Sequence, residues 1–353
     1  MYDLVIVGGG PAGASLARLV GGRLKTLVLE RRELATPFRR GMLGKCCGGL
    51  LAPEAQRALA RRNIELPSEV TREPQFKFVR ALDLATGAGG VYRRNYLNID
   101  REAFDRHLVS LASAAEWRFG AEFLSFENGF ASYRDAHGTH RVECRFLVAA
   151  DGATSRVRRI CQPMARELIA PDRYIAVQEL FAPQNIPCFE AYFDAGLTDF
   201  YAWAVPKREG VLFGAALACS ADAQEKFAEF KRRLADHGRD FGAPLHREGA
   251  LILRPSPRRF WFGDGNVFAV GEAGGFISSS SAEGLSFALN SALAAAEVLT
   301  GAAPTVAGYR RAARAVRLFH WYKRFQGVYM YTPFLRNLIF ASGVGKQRKY
   351  ERF

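Results

Sequence analysis

The segment from Gly8 to Gly13 is the feature that most constrains what this chain can fold into. It reads Gly-Gly-Gly-Pro-Ala-Gly and directly follows a short apolar run, residues 2–7, that predicts a buried strand. A helix is predicted from Pro11 to about Val20, and the N-terminus of such a helix binds anions. The pattern therefore predicts a strand–turn–helix unit that holds a pyrophosphate through Gly8, Gly10, Pro11, Ala12 and Gly13.

The three spaced glycines have different tasks in a turn of this kind. Gly8 permits the tight turn, Gly10 lets the backbone approach the pyrophosphate, and Gly13 lets the helix pack closely against the strand. The order of strand, turn and helix along the chain is the order that a dinucleotide-binding fold requires. We therefore expect a bound dinucleotide at this end of the molecule.

Two further features extend the predicted cofactor site. Residues 25–29 predict a second strand, and Glu30 at its end can accept a hydrogen bond from a ribose hydroxyl, with Arg31 assigned to the same site. A second Gly-rich turn lies far along the chain, and the two turns together point to a flavin dinucleotide. The residues assigned to this second turn are Gly271, Glu272, Gly274, Gly275 and Phe276.

Composition excludes several other classes of protein. The 353 residues are 49% hydrophobic, which suffices for one large or two medium domains. No apolar run is long enough to predict a membrane-spanning helix. The six cysteines lack Cys-x-x-Cys spacing and the six histidines are scattered, so neither a metal site nor a disulfide framework is predicted. The first strand leaves no room for a signal peptide, and we expect a cytoplasmic location.

Positive charge is concentrated at the C-terminus. The formal net charge is +14, and residues 305–353 carry eleven Lys or Arg against one acid, together with eleven aromatic residues. Three interpretations are open: helices that pack their rings on the body and expose a basic face, contact with an anionic membrane surface or lipid substrate, and nucleic acid. The apolar residues Leu335, Leu338 and Phe340 favour lipid, and no nucleic-acid partner is expected.

The predicted fold class is α/β (α+β), with a Rossmann-like FAD-binding domain that is discontinuous, an inserted antiparallel β-sheet and a C-terminal helical segment. Within it, residues 221–237 predict an amphipathic helix. Residues 282–299 predict a long helix whose start is capped by hydroxyls of the serine run 278–281. The predicted boundaries are 1–72, 95–165 and 256–304 for the FAD-binding domain, 73–94 and 166–255 for the substrate-binding domain, and 305–353 for the basic and aromatic helical segment.

Two more motifs lie between the Gly-rich turns. Asp100 to Asp105 reads Asp-Arg-Glu-Ala-Phe-Asp, and Asp151 to Arg158 begins Asp-Gly-Ala-Thr-Ser. Taken with both Gly-rich turns, they resemble flavoproteins of the para-hydroxybenzoate hydroxylase type and, within them, the geranylgeranyl reductase family. The resemblance covers most of the chain and implies that the cofactor is FAD.

The resemblance implies roles for individual residues. Arg101 corresponds to an arginine that helps hold the flavin phosphates, and the other interpretation is an exposed arginine at a helix start. Asp151 and Gly152 correspond to a tight turn beside the cofactor. Glu272 stands where the family usually has an aspartate that bonds a ribityl hydroxyl, and its longer side chain is a departure from that pattern.

The segment Tyr201 to Pro206 resembles the Tyr-x-Trp-x-Phe-Pro motif of geranylgeranyl reductases, with Val205 in place of Phe. Alternation along a strand places Tyr201, Trp203 and Val205 on one face. Two large rings on that face can line a pocket for an isoprenoid chain, and the other interpretation is ordinary core packing.

The segment Gly44 to Leu51 resembles a Cys-Gly-x-Gly-like loop that lies near the flavin in these reductases, and Cys47 and Gly48 are assigned to it. A thiol at this place can donate a proton to carbon, and Lys45 beside it would favour the thiolate. The other interpretation is a buried structural cysteine.

These observations predict an FAD-dependent oxidoreductase that reduces carbon–carbon double bonds of a geranylgeranyl-type lipid by hydride transfer, with Cys47, Tyr201 and Trp203 as catalytic candidates. Its electrons would come from NADPH, NADH or a small redox protein. One alternative is an FAD-dependent monooxygenase acting on an aromatic or lipid substrate. A further alternative is a flavin-binding protein of the membrane surface without catalysis. The protein either stays in the cytoplasm or also docks peripherally on the inner face of the membrane.

Overall fold

The computed structural model describes residues 1–34, 47–162, 164, 170–256 and 259–347. The described strands form two sheets. The first sheet has the order β15-β16-β9-β1-β2-β6, with β8 pairing to β9 and β7 to β8. Its strands are β1 (Tyr2–Val7), β2 (Thr26–Leu29), β6 (Glu116–Arg118), β7 (Glu122–Glu127), β8 (Phe130–Asp135), β9 (Gly138–Ala149), β15 (Gly263–Asp264) and β16 (Val267–Ala269).

The centre of the first sheet is parallel and buried on both faces. Strand β1 pairs in parallel with β2 and with β9, which explains why these segments are continuous apolar runs instead of alternating ones. Leu4, Ile6 and Val148 face the helices that cover one side. Val5 and Leu147 face the other side, where they pack with residues of β7 and β8. The predicted Rossmann-like architecture is thus confirmed.

The second sheet is antiparallel except where β4 and β11 run parallel, and its order is β14-β10-β13-β12-β11-β4-β5-β3. The inserted antiparallel sheet that the sequence predicted is therefore present. Its strands are β3 (Leu50–Leu51), β4 (Phe76–Asp83), β5 (Gly89–Asn98), β10 (Arg173–Phe181), β11 (Phe189–Phe193), β12 (Ala202–Lys207), β13 (Gly210–Ala218) and β14 (His246–Leu253).

Helices cover both sheets. Two short 3-10 turns, Ala170–Asp172 and Gly271–Gly274, lie among them. The α-helices are α1 (Pro11–Val20), α2 (Pro53–Ala60), α3 (Arg101–Ser110), α4 (Arg156–Cys161), α5 (Ala223–Asp236), α6 (Leu285–Leu299), α7 (Val306–Ala312), α8 (Arg314–Tyr331) and α9 (Pro333–Ser342).

The two faces of the second sheet have different neighbours because side chains alternate along its strands. Ala204, Phe213 and Ala215 face helix α5, where they pack against Phe227 and Phe230. The opposite face carries the side chains of Tyr201, Trp203 and Val205, as the sequence predicted. That second face looks toward the first sheet and the C-terminal helices.

The long helix α6 begins later than predicted and is capped differently. It starts at Leu285, three residues after the expected start, because Ala282 has a left-handed backbone with φ 49°. The carboxylate of Glu283 accepts a hydrogen bond from the Ser286 amide at 2.7 Å. The prediction that the serine run caps this helix is therefore wrong.

The C-terminal helices α8 and α9 are fixed to the body through charged side chains. Arg336 on α9 is buried and donates from Nε to Asp83 on β4 at 3.0 Å. Lys323 on α8 is also buried and lies 3.2 Å from Glu54 on α2. The predicted helical segment at the C-terminus is thus present, and two ion pairs tie it to separate parts of the fold.

We expect the buried pair of Arg336 and Asp83 to dominate the attachment of α9. Arg336→Met leaves a buried carboxylate without its partner and should lower the free energy of unfolding by about 3 to 5 kcal/mol. Arg232→Met removes an exposed arginine from its pairs with Glu229 and Asp236 and should cost less than about 1 kcal/mol. Urea unfolding monitored by circular dichroism measures both.

A second variant separates the loss of charge pairing from the loss of packing. In Asp83→Asn/Arg336→Met neither charge remains, so most of the lost stability should return. Equal stability losses for Arg336→Met and Arg232→Met would contradict the assignment.

Candidate cofactor and substrate site

The first Gly-rich turn has the shape that a pyrophosphate requires. Gly8 has φ +105°, and a Cβ atom there would lie 2.5 Å from the carbonyl oxygen of Ala150. A Cβ atom on Gly13 would lie 1.9 Å from the carbonyl oxygen of Gly8. At Gly10 a Cβ atom would meet no described atom within 4 Å, and no side chain caps the start of α1. The turn therefore leaves an open space at an uncapped helix N-terminus.

The carboxylate of Glu30 lies directly beside this turn. It accepts a hydrogen bond from the Gly9 amide at 2.6 Å and another from the Arg32 amide at 2.8 Å. The Arg32 guanidinium bridges Glu30 and Asp105, with 3.0 Å to each. Arg31, the residue assigned from sequence, is exposed. Arg32, which the sequence did not single out, therefore lies at this site through its pairs with Glu30 and Asp105.

Motifs far apart in sequence meet at the first turn. A Cβ atom added to Gly8 would lie 3.0 Å from the Cα of Asp151. A Cβ atom added to Gly271 would lie 2.7 Å from the Cβ of Ala12. Gly152 and Gly271 both have positive φ angles, of 79° and 59°. The structure thus brings together three of the segments that the sequence assigned to one cofactor.

Asp151 carries an oxygen that no described group satisfies. Its Oδ2 accepts hydrogen bonds from the amides of Arg156 at 2.7 Å and Val157 at 3.2 Å, which caps helix α4. Its Oδ1 is buried without a hydrogen-bond partner among the described residues. Burial raises the pKa of this carboxyl above its usual range. A buried oxygen of this kind is an available contact for a hydroxyl group of a ligand.

The second Gly-rich turn is held by contacts within the fold, in addition to any contact that it makes with a ligand. Gly275 closes the turn with φ 83°. Glu272 accepts a hydrogen bond from the Leu253 amide at 2.8 Å, so this carboxylate links the turn to the end of β14. The Phe276 side chain is fully buried against Phe260 and Phe262. Only the backbone of Phe276 is therefore free to face a cofactor.

The motif from Asp100 to Asp105 forms the start of α3. The carboxylate of Asp100 accepts hydrogen bonds from the amides of Glu102 and Ala103, both at 2.9 Å, and caps the helix. The largely buried Arg101 lies 3.0 Å from Asp105 and donates to the sulfur of Cys47 at 3.6 Å. Arg101 is thus neither exposed nor free of partners, and it connects α3 to the cysteine loop.

The loop of Cys47 and Gly48 lies between the two sheets. The Gln178 side chain on β10 donates to the carbonyl oxygen of Cys47 at 3.4 Å. A Cβ atom on Gly48 would lie 3.6 Å from Val205 and 3.9 Å from the indole nitrogen of Trp203. Lys45 and Cys46 lie outside the described residues. The structure therefore brings Cys47 and Trp203 to one place, as expected for a shared site.

Lys207 anchors the loop of Cys47 and Gly48 by hydrogen bonds. Its buried ammonium donates to the side chain of Asn98 and lies 3.4 Å from the carbonyl oxygen of Gly49 and 3.3 Å from that of Ile99. Burial lowers the pKa of Lys207 from 10.5 to about 8. The loop that carries Cys47 is thus anchored by a buried charge at the end of β12.

Two polar atoms on the sheet face next to this loop lack partners. Gln178, Gly214 and Trp203 are neighbours across strands β10, β13 and β12. Because Gly214 has no side chain, the Trp203 ring lies over it, 2.6 Å from where a Cβ atom would be. Gln178 Oε1 and Trp203 Nε1 are buried and make no hydrogen bond to any described residue. One acceptor and one donor are therefore available to a ligand here.

Tyr201 connects this face to the loop after the second Gly-rich turn. Its hydroxyl donates to the carbonyl oxygen of Ser281 at 3.0 Å, and the neighbouring Tyr331 donates to that of Ser280 at 2.5 Å. Burial raises the pKa of Tyr201 well above its ordinary value. These contacts indicate that Tyr201 positions the loop, because its proton is already engaged and is weakly acidic.

A cavity of about 250 Å³ begins at this tyrosine and extends between the second sheet and helices α8 and α9. Most of its wall is apolar or aromatic, which suits a hydrocarbon chain. The apolar and aromatic residues of the wall are Val79, Ala81, Tyr92, Tyr96, Phe189, Ala191, Phe193, Tyr201, Tyr329, Met330, Ile339 and Phe340.

One side of the cavity is charged. Arg94 and Lys323 both line it, and both pair with the Glu54 carboxylate, at 2.9 and 3.2 Å. Burial tends to raise the pKa of Glu54, but Arg94 and Lys323 outweigh it and lower that pKa. Arg94 also donates to the hydroxyl of Tyr96 at 2.8 Å. The cavity therefore combines an apolar wall with three cations, Arg94, Lys323 and Arg336, each of which is paired with a carboxylate, Glu54 or Asp83.

Comparison with known proteins places the chain in a family. No protein-family model matches it. Protein CbrA from Escherichia coli O6:H1 is 34% identical over 359 residues, which cover 97% of this chain and 94% of that protein. The chain belongs to the CbrA family.

Solved structures share the fold of this CbrA-family protein at low sequence identity. A geranylgeranyl bacteriochlorophyll reductase-like protein from Thermoplasma acidophilum matches with a TM-score of 0.78 at 20% identity, over 94% of this chain and 88% of that one. PqsL from Pseudomonas aeruginosa, a probable FAD-dependent monooxygenase, matches with a TM-score of 0.66 at 18% identity, over 97% and 98%. The family member described here thus has the fold of FAD-dependent flavoproteins.

The residues present in this CbrA-family protein fit FAD. The open space at Gly10 accommodates a pyrophosphate at the start of α1, and Glu30 lies where a ribose would follow. The free oxygen of Asp151 and the free indole N–H of Trp203 are hydrogen-bonding groups that a bound cofactor would satisfy.

Three residues of the site were missed by sequence reasoning. Arg32 was indistinguishable from Arg31 because both follow the same strand. Gln178 was recognisable as a lone amide in an otherwise apolar strand, and Lys207 as the charge that ends the motif beginning at Tyr201. A buried polar residue in an apolar strand was the signal in both cases.

We expect Gly10→Ala to separate cofactor binding from folding. The new methyl group meets no atom of the described residues within 4 Å, so the thermal midpoint of the apoprotein should not change, whereas affinity for FAD should fall on the order of tenfold or more. Gly22→Ala, which also meets no atom, should bind FAD normally. Titration of the apoprotein with FAD by fluorescence measures both, and equal affinities would contradict a pyrophosphate site at Gly10.

The lowered pKa of Lys207 predicts that the stability of the fold depends on pH. Its pKa in the folded protein, about 8, lies below that of the unfolded chain, so the buried charge costs stability below pH 8. This cost disappears as the pH rises from about 8 toward 10.5, so the free energy of unfolding should increase by about 3 kcal/mol in all over this range. The difference in unfolding free energy between wild type and Lys207→Met should therefore rise over this range. Parallel pH profiles would contradict the prediction.

Proposed function

We propose that the protein is an FAD-dependent oxidoreductase that reduces carbon–carbon double bonds of a long isoprenoid lipid. The observation that carries this proposal is the apolar cavity, whose lining includes Tyr201 together with Ser280 and Ser281 of the loop after the second Gly-rich turn. A hydrocarbon chain in that cavity would reach toward the cofactor turns. The resemblance to geranylgeranyl reductases and the fold shared with a reductase-like protein support the same substrate class.

The chemistry that FAD supplies when bound is hydride transfer to one carbon of the alkene. An alkene has no carbonyl group to polarise, so the protein contributes proximity and exclusion of water. Phe189, Phe193 and Met330 exclude water by lining the cavity with apolar surface.

The second alkene carbon needs a proton, and Cys47 is a better donor than Tyr201. Tyr201 already donates its proton to Ser281, and burial keeps that phenol weakly acidic. The Arg101 guanidinium lies 3.6 Å from the Cys47 sulfur. It would stabilise the negative charge that the sulfur carries after the proton has left. Hydride and proton thus add across one double bond, and the thiolate then takes a proton back from water.

The alternative function is oxygen insertion by an FAD-dependent monooxygenase on the same fold. The cofactor turns suit both reactions equally, and PqsL shows that this fold occurs in a probable monooxygenase. The thiol of Cys47 favours the reductase, because alkene reduction needs a proton donor, and this thiol lies next to Arg101 in the loop whose Gly48 approaches Trp203.

Anaerobic reoxidation distinguishes the two functions. The purified holoprotein is reduced with dithionite, and a geranylgeranyl lipid in detergent is added without oxygen. We expect the flavin absorbance to return and the lipid to gain two hydrogens by mass spectrometry. A flavin that stays bleached until air enters, with a lipid that gains oxygen, would establish the monooxygenase instead.

Variants test the proton donor within the same assay. Cys47→Ser should slow anaerobic reoxidation by about 100-fold, in the range for loss of a general acid. Tyr201→Phe should slow it less, because the phenol is assigned a positioning role. Cys219→Ser, at an exposed cysteine, serves as the matched control. Equal rates for Cys47→Ser and Cys219→Ser would remove Cys47 from the mechanism.

A further inference from the structure

The outer side of helices α8 and α9 is unusually apolar. Six large side chains on this side are each more than half exposed, with values from 52% to 70%. We call this surface the aromatic face, and it consists of Leu318, Trp321, Tyr322, Phe325, Phe334 and Leu338. Residues 318, 321, 322 and 325 follow the three- and four-residue spacing of one helix side, and exposed apolar surface of this kind marks a site of interaction.

The two helices bury some of their polar residues while they expose large apolar ones. His320 is fully buried, and Lys323 and Arg336 are only 4% exposed, whereas Arg314 and Arg324 of α8 are exposed. Phe325 and Phe334, by contrast, are 68% and 70% exposed. A helix that docks on a water-facing body normally buries its rings and exposes its charges. Here the outer environment is therefore expected to be apolar.

The surroundings of the aromatic face carry one sign of charge. Arg310, Arg311, Arg314 and Arg324 are exposed on α7 and α8. No Asp or Glu occurs anywhere from residue 306 to residue 342. Exposed arginines beside exposed rings complement a surface of anionic headgroups over hydrocarbon.

We propose that the aromatic face docks on an anionic lipid bilayer, with α8 and α9 lying in the plane of the interface. The Trp321 and Tyr322 rings lie at headgroup depth, Phe325 and Leu338 reach the acyl region, and the arginines contact lipid phosphates. No helix in the described part of the chain is long and apolar enough to cross a membrane. The contact is thus peripheral.

A second copy of the chain fits this surface less well. A two-fold contact through the aromatic face would bring the arginines of α8 against their own copies. Since α7 to α9 contain no acid, these charges would have no partners across the interface. Like charges in such an arrangement oppose association.

Docking would also orient the cavity. Tyr329 and Met330 on α8 and Ile339 and Phe340 on α9 line the cavity from the helices that carry the aromatic face. An isoprenoid chain could therefore pass from the bilayer into the cavity along apolar surface. This consequence rests on the proposed function, whereas the docking itself does not.

Vesicle flotation of the full-length holoprotein tests the proposal. Binding is expected to vesicles of phosphatidylcholine with phosphatidylglycerol, to be weaker with phosphatidylcholine alone, and to fall as salt increases. Arg314→Gln/Arg324→Gln should weaken binding by about 25-fold, since each basic residue contributes about fivefold. Trp321→Ser/Phe325→Ser should weaken it at least as much, while Leu245→Ser, at an exposed leucine remote in sequence, should have no effect.

Other outcomes would overturn the proposal. Absence of vesicle binding at every lipid composition, or equal binding by Trp321→Ser/Phe325→Ser and Leu245→Ser, would exclude a membrane surface. A dimer in sedimentation that Trp321→Ser/Phe325→Ser dissociates would assign the aromatic face to a second copy. Anaerobic reoxidation by lipid in detergent should be unchanged in these surface variants, so failure of docking and failure of the reductase reaction are distinguishable.

Discussion

The close approach of backbone at the glycines of the first turn is the contact on which the rest of this structure depends. A methyl group on Gly13 would overlap the carbonyl oxygen of Gly8, and one on Gly271 would collide with Ala12. These contacts bring the end of β1, the start of α1 and the second Gly-rich turn to one point. Everything that holds a cofactor is arranged around that point, because strands of a parallel sheet present their carboxyl ends at the same edge.

A second group of contacts connects this edge of the first sheet to the face of the second sheet that carries Trp203. The loop of Cys47 is contacted by Arg101 from α3, by Gln178 from the second sheet and by the buried ammonium of Lys207 through Gly49. Each contact comes from a different part of the chain. The thiol is therefore held in a fixed place by contacts from the second sheet and from α3.

Local patterns predicted much of the fold and part of the site. Continuous apolar runs predicted the central strands of the first sheet, and alternation predicted the common face of Tyr201 and Trp203. Single side chains were less predictable. Glu272 is bonded to a distant amide, Phe276 points into the core, and Arg32, which the sequence did not single out, pairs with Glu30. Partners of this kind lie far away in sequence, so spacing alone does not reveal them.

The sequence by itself determined the strand–turn–helix unit, the class of dinucleotide fold and the basic, aromatic character of the C-terminal helices. These properties depend on neighbours within a few residues, such as the glycines from Gly8 to Gly13. Only the tertiary structure decided that Lys323 and Arg336 point inward while Phe325 points outward, and that the cavity lies beneath the same helices. Which side of a helix is buried depends on ion pairs with Glu54 and Asp83, and those partners are fixed only when the sheets pack.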